Sequence, residues 1–316
     1  MSYVGIQTQQ RRNNMRSTIL LLFFPVLILV LSYVAYWFVY ASHFEMGFFN
    51  TNILLDFSVN VAPWVIGGVG IWFLIAYWSN TTIINNAVHS KPLERKENMR
   101  VYNLVENLCM QTGMKMPKVN VIHDNSLNAF ASGINEKTYT VTLTDGIIQK
   151  LNDEELKGVI AHELMHIRNR DVRVLIVSII FVGVFTMVSQ MGLRMMLFAP
   201  RGGGNSKNNG GQAAIMLIVV LVSIVGYFCA ILMRFAISRK REYMADAGAA
   251  EMTKNPHALA SALRKISGNP DMAGVSRDDI AQLFIEHPLN KKKTFMSDLF
   301  ATHPPIQKRI AVLENF

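Results

Sequence analysis

The chain has 316 residues, 51% of them hydrophobic and 17% charged, with a formal charge of +9 and two cysteines. It is greasier than an ordinary soluble domain, and its length admits two domains. Cys109 and Cys229 are too few for a disulfide framework or a cysteine-rich metal site, and they fit a reducing compartment for the soluble part.

In chain order, apolar runs at about 18–40, 61–78, 174–193 and 213–233 each approach the ~20 residues that cross a bilayer as a helix. The first is too long for a removable signal peptide, whose apolar stretch runs to about 7–15 residues, and no small-residue cleavage site follows it. The second is glycine-rich and opens near Pro63, which membrane helices tolerate. The charge is distributed around these runs. Arg11, Arg12 and Arg16 precede the first, residues 41–60 hold no Lys or Arg, and cations return after the second (Lys91, Arg95, Lys96, Arg100) and the fourth (Arg234, Arg239, Lys240, Arg241). This asymmetry predicts both termini and residues 79–171 on the cytoplasmic side, and it argues against nucleic acid as a partner. Arg201 and Lys207, in the Gly/Asn-rich loop between runs three and four, are a mild dissent. The expected organisation is a membrane hairpin over 1–80, a first soluble part over 81–173, a second hairpin over 174–236 and a second soluble part over 237–316.

Within the first soluble part, Val101, Leu104, Val105 and Leu108 recur at helical spacing, and Gly113 and Pro117 end that helix. "KVNVIHD" and "YTVTLT" read as strands, and "SLNAFASGINEKT" as a strand running into a hairpin at Asn135–Glu136. "NDEELKGVIAHELMHIRNRD" is a helix: Asn152 or Asp153 can cap it, acids fill its first turn, and Leu156, Val159, Ile160 and Leu164 repeat along one face.

That helix carries His162 and His166. Positions i and i+4 share a face, so both imidazoles can aim at one metal ion. Glu163, beside His162, is placed to take a proton from water instead of ligating. Catalytic zinc needs a third protein ligand. "SRKREYMADAGAA" offers Glu242, with Asp246 one turn on as a carboxylate behind a histidine; taken alone, both read equally as solvated charges on a basic helix.

"VIAHELMHIRNRD", "SRKREYMADAGAA" and "LFATHPPIQKRI", in that order around a membrane hairpin, resemble the HtpX-type integral-membrane zinc metalloproteases, relatives of the CaaX prenyl proteases. "NAFASG" and "TDGIIQKLNDEELKGV" fit the same pattern, so the resemblance runs from about residue 80 to the end. It implies one zinc ion on His162, His166 and Glu242, Glu163 as general base, and Asp246 behind the ligands. His303 and Arg309 match a His and an Arg near the family's active site, where they can stabilise an oxyanion; a helix-start residue and a plain ion pair are their ordinary alternatives. Asn128, Ala129 and Phe130 match an edge strand that pairs with an extended peptide.

The expected fold is therefore a mainly α integral membrane protein of four transmembrane helices with a zincin-like α+β catalytic domain around a small β-sheet. The expected function is a zinc endopeptidase of the plasma membrane, a bacterial inner membrane, acting on membrane or unfolded polypeptides at the cytoplasmic face in quality control. A non-catalytic zinc scaffold has no need of Glu163, and a transporter is disfavoured because the four runs contain no ionisable residue. Both ligand-bearing helices are expected to run on into the third and fourth spans, which would hold the metal about 9–12 Å from the bilayer edge by helical rise.

Overall fold

The computed structural model describes residues 6–44, 50–176, 223–228, 239–267 and 304–316, together with Ile285 and scattered positions between 183 and 221. Mainly helical, with one small mixed sheet, the chain divides into two compact units. One comprises residues 18–78 and 177–233, the other 1–17, 79–176 and 234–316.

α1 (Ile6–Phe44), which belongs to the first unit from residue 18 on, contains Pro25. After it α2 (Thr51–Asp56), a π-turn (Phe57–Val61) and α3 (Ala62–Ala87) follow without a gap. Pro63 has no N–H to donate, and just ahead of it the Ala62 N–H reaches back five residues to the Phe57 carbonyl, which widens the helix locally. Among the described residues Thr51–Ser79 is the one helix long and apolar enough to cross a membrane, and Leu22–Phe38 is a shorter apolar helix. The third and fourth expected spans lie almost wholly outside the described residues. Large apolar side chains point outward from this helix, Trp64 at 82% exposure and Trp78 at 75%, as suits a helix surrounded by lipid. Tyr33, Ile53 and Phe57 are buried together.

The second expected span begins ten residues earlier than its glycine-rich core indicated, and this brings Asp56 into the apolar helix. The expected run over 61–78 itself holds no ionisable residue, and Asp56 lies in the helical stretch ahead of it. Periodicity could not reveal Asp56 as part of the helix, because its oxygens are satisfied by side chains distant in sequence or a turn away: Tyr36 Oη donates to Oδ2, and Asn60 Nδ2 donates to Oδ1 at 2.7 Å.

The second unit holds the sheet, in the order β1–β2–β4–β3: β1 (Lys91–Pro92), β2 (Lys118–Ile122), β3 (Ala129–Ser132) and β4 (Thr140–Thr144). β2 and β4 are parallel, and β3 runs antiparallel to β4 along one edge. The connection from β3 to β4 requires Gly133 at φ 101°, where a Cβ would stand 2.3 Å from the Thr138 carbonyl oxygen. α4 (Met99–Thr112) is ended by Gly113 at φ 64°, as its sequence predicts.

α5 (Asp145–Lys150) leads to α6 (Asp153–Arg168), the central helix, which packs on α4, β3, β4 and two later helices. Those are α7 (Arg239–Thr253) and α8 (Pro256–Ser267); α9 (Ile306–Glu314) packs on both. α6 starts where it does because Asn152 and Glu155 form a reciprocal capping box, with Asp153, Glu154 and Glu155 at the positive end of the helix dipole. Glu155 is buried and also accepts from Ser261 Oγ and Lys265 Nζ, both at 2.7 Å, which ties α6 to α8. Gly158 permits the close crossing, since a Cβ there would lie 3.2 Å from Leu259. Buried residues occur all round α6, from Leu156 to Ile167.

α6 does not run on toward residue 174. Asn169 caps it, Arg170 takes a left-handed φ of 60°, and a separate helical turn begins at residue 171. The expected 12 Å offset by continuous helical rise is thereby corrected. The Asn169 and Arg170 N–H groups bond back to the Met165 and Ile167 carbonyls, which closes the helix end.

Candidate metal centre

α6 and α7 cross so that His162, His166 and Glu242 each bring one ligand atom to a common point, all within 4.8 Å of one another. His162 Nε2 lies 3.1 Å from His166 Nε2 and 3.6 Å from Glu242 Oε2; His166 Nε2 lies 3.5 Å from Glu242 Oε1. Two ligands each ~2.0–2.1 Å from a tetrahedral zinc are about 3.3 Å apart. The separation of the two histidine nitrogens is near that value, each histidine has a Glu242 oxygen within 3.6 Å, and two imidazole nitrogens and a carboxylate are a zinc donor set. The residues present therefore fit a zinc ion.

The surroundings hold these ligands tightly. His162 is fully buried, and its Nδ1 lies 3.0 Å from Asp246 Oδ1. Arg309, 1% exposed, grips the same carboxylate from the other side, donating from Nε to Oδ2 at 2.9 Å and from Nη2 to Oδ1 at 2.7 Å. Its Nη1 lies 3.3 Å from Glu242 Oε2 and 3.4 Å from the Ile285 carbonyl oxygen. Burial works against the charge of Asp246, yet Arg309 and the His162 hydrogen bond hold its carboxyl below the usual range. Burial and Arg309 also oppose a charge on His162, but the hydrogen bonds to Asp246 and Glu242 outweigh them and raise its pKa to about 9 in the metal-free protein.

Glu163 is 2% exposed. Burial, with Glu242 adding to it, pushes its carboxyl up, and His162, His166 and Arg309 offset part of that rise. Raised proton affinity in a buried carboxylate beside a possible metal site marks Glu163 as a candidate for proton transfer.

Of the remaining sequence-predicted residues, His303 lies outside the described residues. Asn128, Ala129 and Phe130 are fully buried along β3. Asn128 and Thr144 exchange backbone contacts through the Thr144 N–H and Oγ1, so the backbone groups of Ala129 and Ala131 face away from β4. The Ala129 N–H is taken by Asn128 Oδ1 at 3.1 Å, and its carbonyl accepts from the Ile285 N–H at 2.9 Å. Asp171, which no motif of the sequence singles out, has Oδ2 3.2 Å from His166 Nδ1. The only local sign of it was the Asn-Arg pair that ends α6 ahead of an acid.

A His-Glu-x-x-His helix, crossed by a second helix that contributes a glutamate, with His162 and Glu242 buried and His166 partly so, is the donor set of a metalloprotease. Comparison with known proteins agrees. The profile of peptidase family M48 matches residues 95–316. A protease HtpX homolog of Bacteroides fragilis is 59% identical over the whole of both chains. One of Listeria monocytogenes is 38% identical over 85% of this chain and 94% of that one, and one of Lactobacillus helveticus 35% identical over 83% and 90%. The crystal structure of S. mikatae Ste24p matches with a TM-score of 0.50 at 18% identity over 82% of this chain, which spans 60% of that protein's length. The chain belongs to peptidase family M48. It is a metal-dependent membrane protease, as the resemblance in its motifs implied.

Proposed function

We propose that the protein is a zinc endopeptidase of a cell membrane, a bacterial plasma membrane, anchored by four transmembrane helices, that cuts membrane or unfolded polypeptides at the cytoplasmic face in membrane-protein quality control. The observation that carries the chemistry is the convergence of His162, His166 and Glu242, one ligand atom each within 4.8 Å of the others, beside the buried Glu163. A zinc ion held by those three residues supplies the Lewis acidity that makes water a nucleophile near neutral pH. Glu163 takes the proton from the attacking water and delivers it to the leaving amine; its burial makes it a stronger base than a solvated glutamate. Arg309 works behind the ligands by holding Asp246 and Glu242, which leaves His303 as the donor to the substrate oxyanion.

Substrate adds to the sheet alongside β3 in extended form, over the outward backbone groups of Ala131, while Asn128 and Phe130 fix the strand from within. The side of the membrane follows from the Lys and Arg that flank the apolar runs. The test replaces Glu163 with Gln in the detergent-solubilised full chain and measures zinc content and cleavage of an unfolded substrate. The expected outcome is unchanged zinc with turnover lower by several orders of magnitude. Turnover near that of the wild type would sink the assignment.

A further inference from the structure

On an unbroken α-helix the residue five positions after His166 stands about 140° around the axis from it, at 100° per residue. No side chain there reaches the outer nitrogen of His166. α6 is broken instead, and the left-handed Arg170 swings the chain back. Asp171, 3% exposed, thereby brings Oδ2 to 3.2 Å from His166 Nδ1. Arg241, also buried, approaches from α7: its Nη1 donates to the Asp171 carbonyl oxygen at 3.1 Å, and its Nε forms an ion pair with Asp171 Oδ1 at 4.0 Å.

We infer that Asp171 and Arg241 are positioning residues for His166. Asp171 accepts the Nδ1–H, which fixes the tautomer and ring angle that leave Nε2 bare toward Glu242 and His162, and Arg241 holds Asp171 in place. The arrangement repeats the one behind His162, where Asp246 accepts from Nδ1 and Arg309 holds Asp246. Each histidine of the cradle therefore has its own aspartate, and each aspartate its own arginine. The two couples are built differently in the chain. Asp246 and His162 sit on separate helices, whereas Asp171 reaches His166 from the same segment through a strained turn. Arg241 adjoins Glu242, so the segment carrying the third ligand also steadies the second, and the couple joins the chain on either side of residues 177–233.

The inference rests on the zinc-site reading, and its test separates the two. Full-length protein in detergent is loaded with zinc, and zinc release to a chromophoric chelator, the visible spectrum of the cobalt-substituted form, kcat and KM are measured. Asp171→Ala is expected to speed zinc release about 10- to 100-fold, to alter the cobalt spectrum, and to lower kcat with KM little changed. Asp171→Asn, nearly isosteric and still able to accept from Nδ1–H, should lie between Asp171→Ala and the wild type, and it carries the test should the alanine variant fail to fold. Arg241→Met should speed release less than Asp171→Ala, Arg241→Lys less again, and Arg241→Met added to Asp171→Ala should change nothing further, because the arginine acts through the aspartate. Wild-type zinc release and cobalt spectra in both Asp171 variants would overturn the inference, as would multiplying effects of Asp171→Ala and Arg241→Met. A wild-type protein that takes up no zinc would overturn the site reading itself.

Discussion

Replacing Asp246 with Asn removes one charge from a buried cluster and leaves Arg309 without its bidentate partner. Arg309 is 1% exposed and Asp246 2%, so neither charge has water to fall back on. Breaking a buried pair from one side costs about 3–5 kcal/mol. The low end applies here, because Glu242 Oε2 remains 3.3 Å from Arg309 Nη1 and takes up part of the charge. At 2–4 °C per kcal/mol for a domain of this size, a cost of about 3 kcal/mol lowers the apparent Tm by roughly 6–12 °C. Zinc affinity should fall 10- to 100-fold as well, because His162 loses the carboxylate that orients it. Arg309→Met in the Asp246→Asn background removes the orphaned cation and should restore about 2 kcal/mol, so that the double variant is markedly more stable than the sum of the singles predicts. Thermal scans of zinc-loaded protein in detergent, with a chelator competition for affinity, measure both. An Asp246→Asn variant that melts within about 2 °C of wild type, or a double variant whose losses simply add, would refute the argument.

Glu242→Ala should abolish tight zinc binding and turnover together, since it removes one of three ligands; zinc bound as tightly as in wild type would mean the third ligand lies elsewhere. The His162 pKa, pushed up to about 9 in the metal-free protein, lies above its unfolded value of about 6.5. Its contribution to stability is therefore complete below about 6.5 and is lost as pH rises through about 9, so stripped protein should melt at progressively lower temperature across that window. Zinc affinity should rise over the same window by about tenfold per pH unit, because the metal must displace that proton; titrations at fixed ionic strength that show no pH dependence would contradict the placement of His162. Gly133→Ala forces a Cβ against the Thr138 carbonyl at a φ of 101° and should cost at least about 1–3 kcal/mol, with KM rising more than kcat falls because the hairpin that carries β3 is displaced; thermal scans and steady-state kinetics read both.

Local physics made much of this protein legible from its sequence. The histidine pair and Glu163 could be placed on a helix because α6 carries its own cap, its own acidic first turn and a 3.6-residue apolar repeat, all read from adjacent residues. The β3–β4 hairpin was legible for the same reason, since alternation and turn residues are short-range signals. Glu242 could be singled out as a candidate, but only the crossing of α6 and α7 brings its carboxylate within 3.6 Å of both histidines. The break at Asn169–Arg170 was not legible, because nothing in "HIRNRD" forbids a continuing helix; what holds the turn is Asp171, clasped by His166 before it and by Arg241 seventy residues later. Arg309 shows the same limit. Its motif placed it near the site, yet a guanidinium can point at substrate or at a carboxylate with equal ease, and the packing of α9 beside α7 is what turns it onto Asp246. Helix starts and apolar faces are decided within a few residues of the chain, whereas the break after α6 and the choice of partner for a buried charge depend on groups distant in sequence and belong to the tertiary structure.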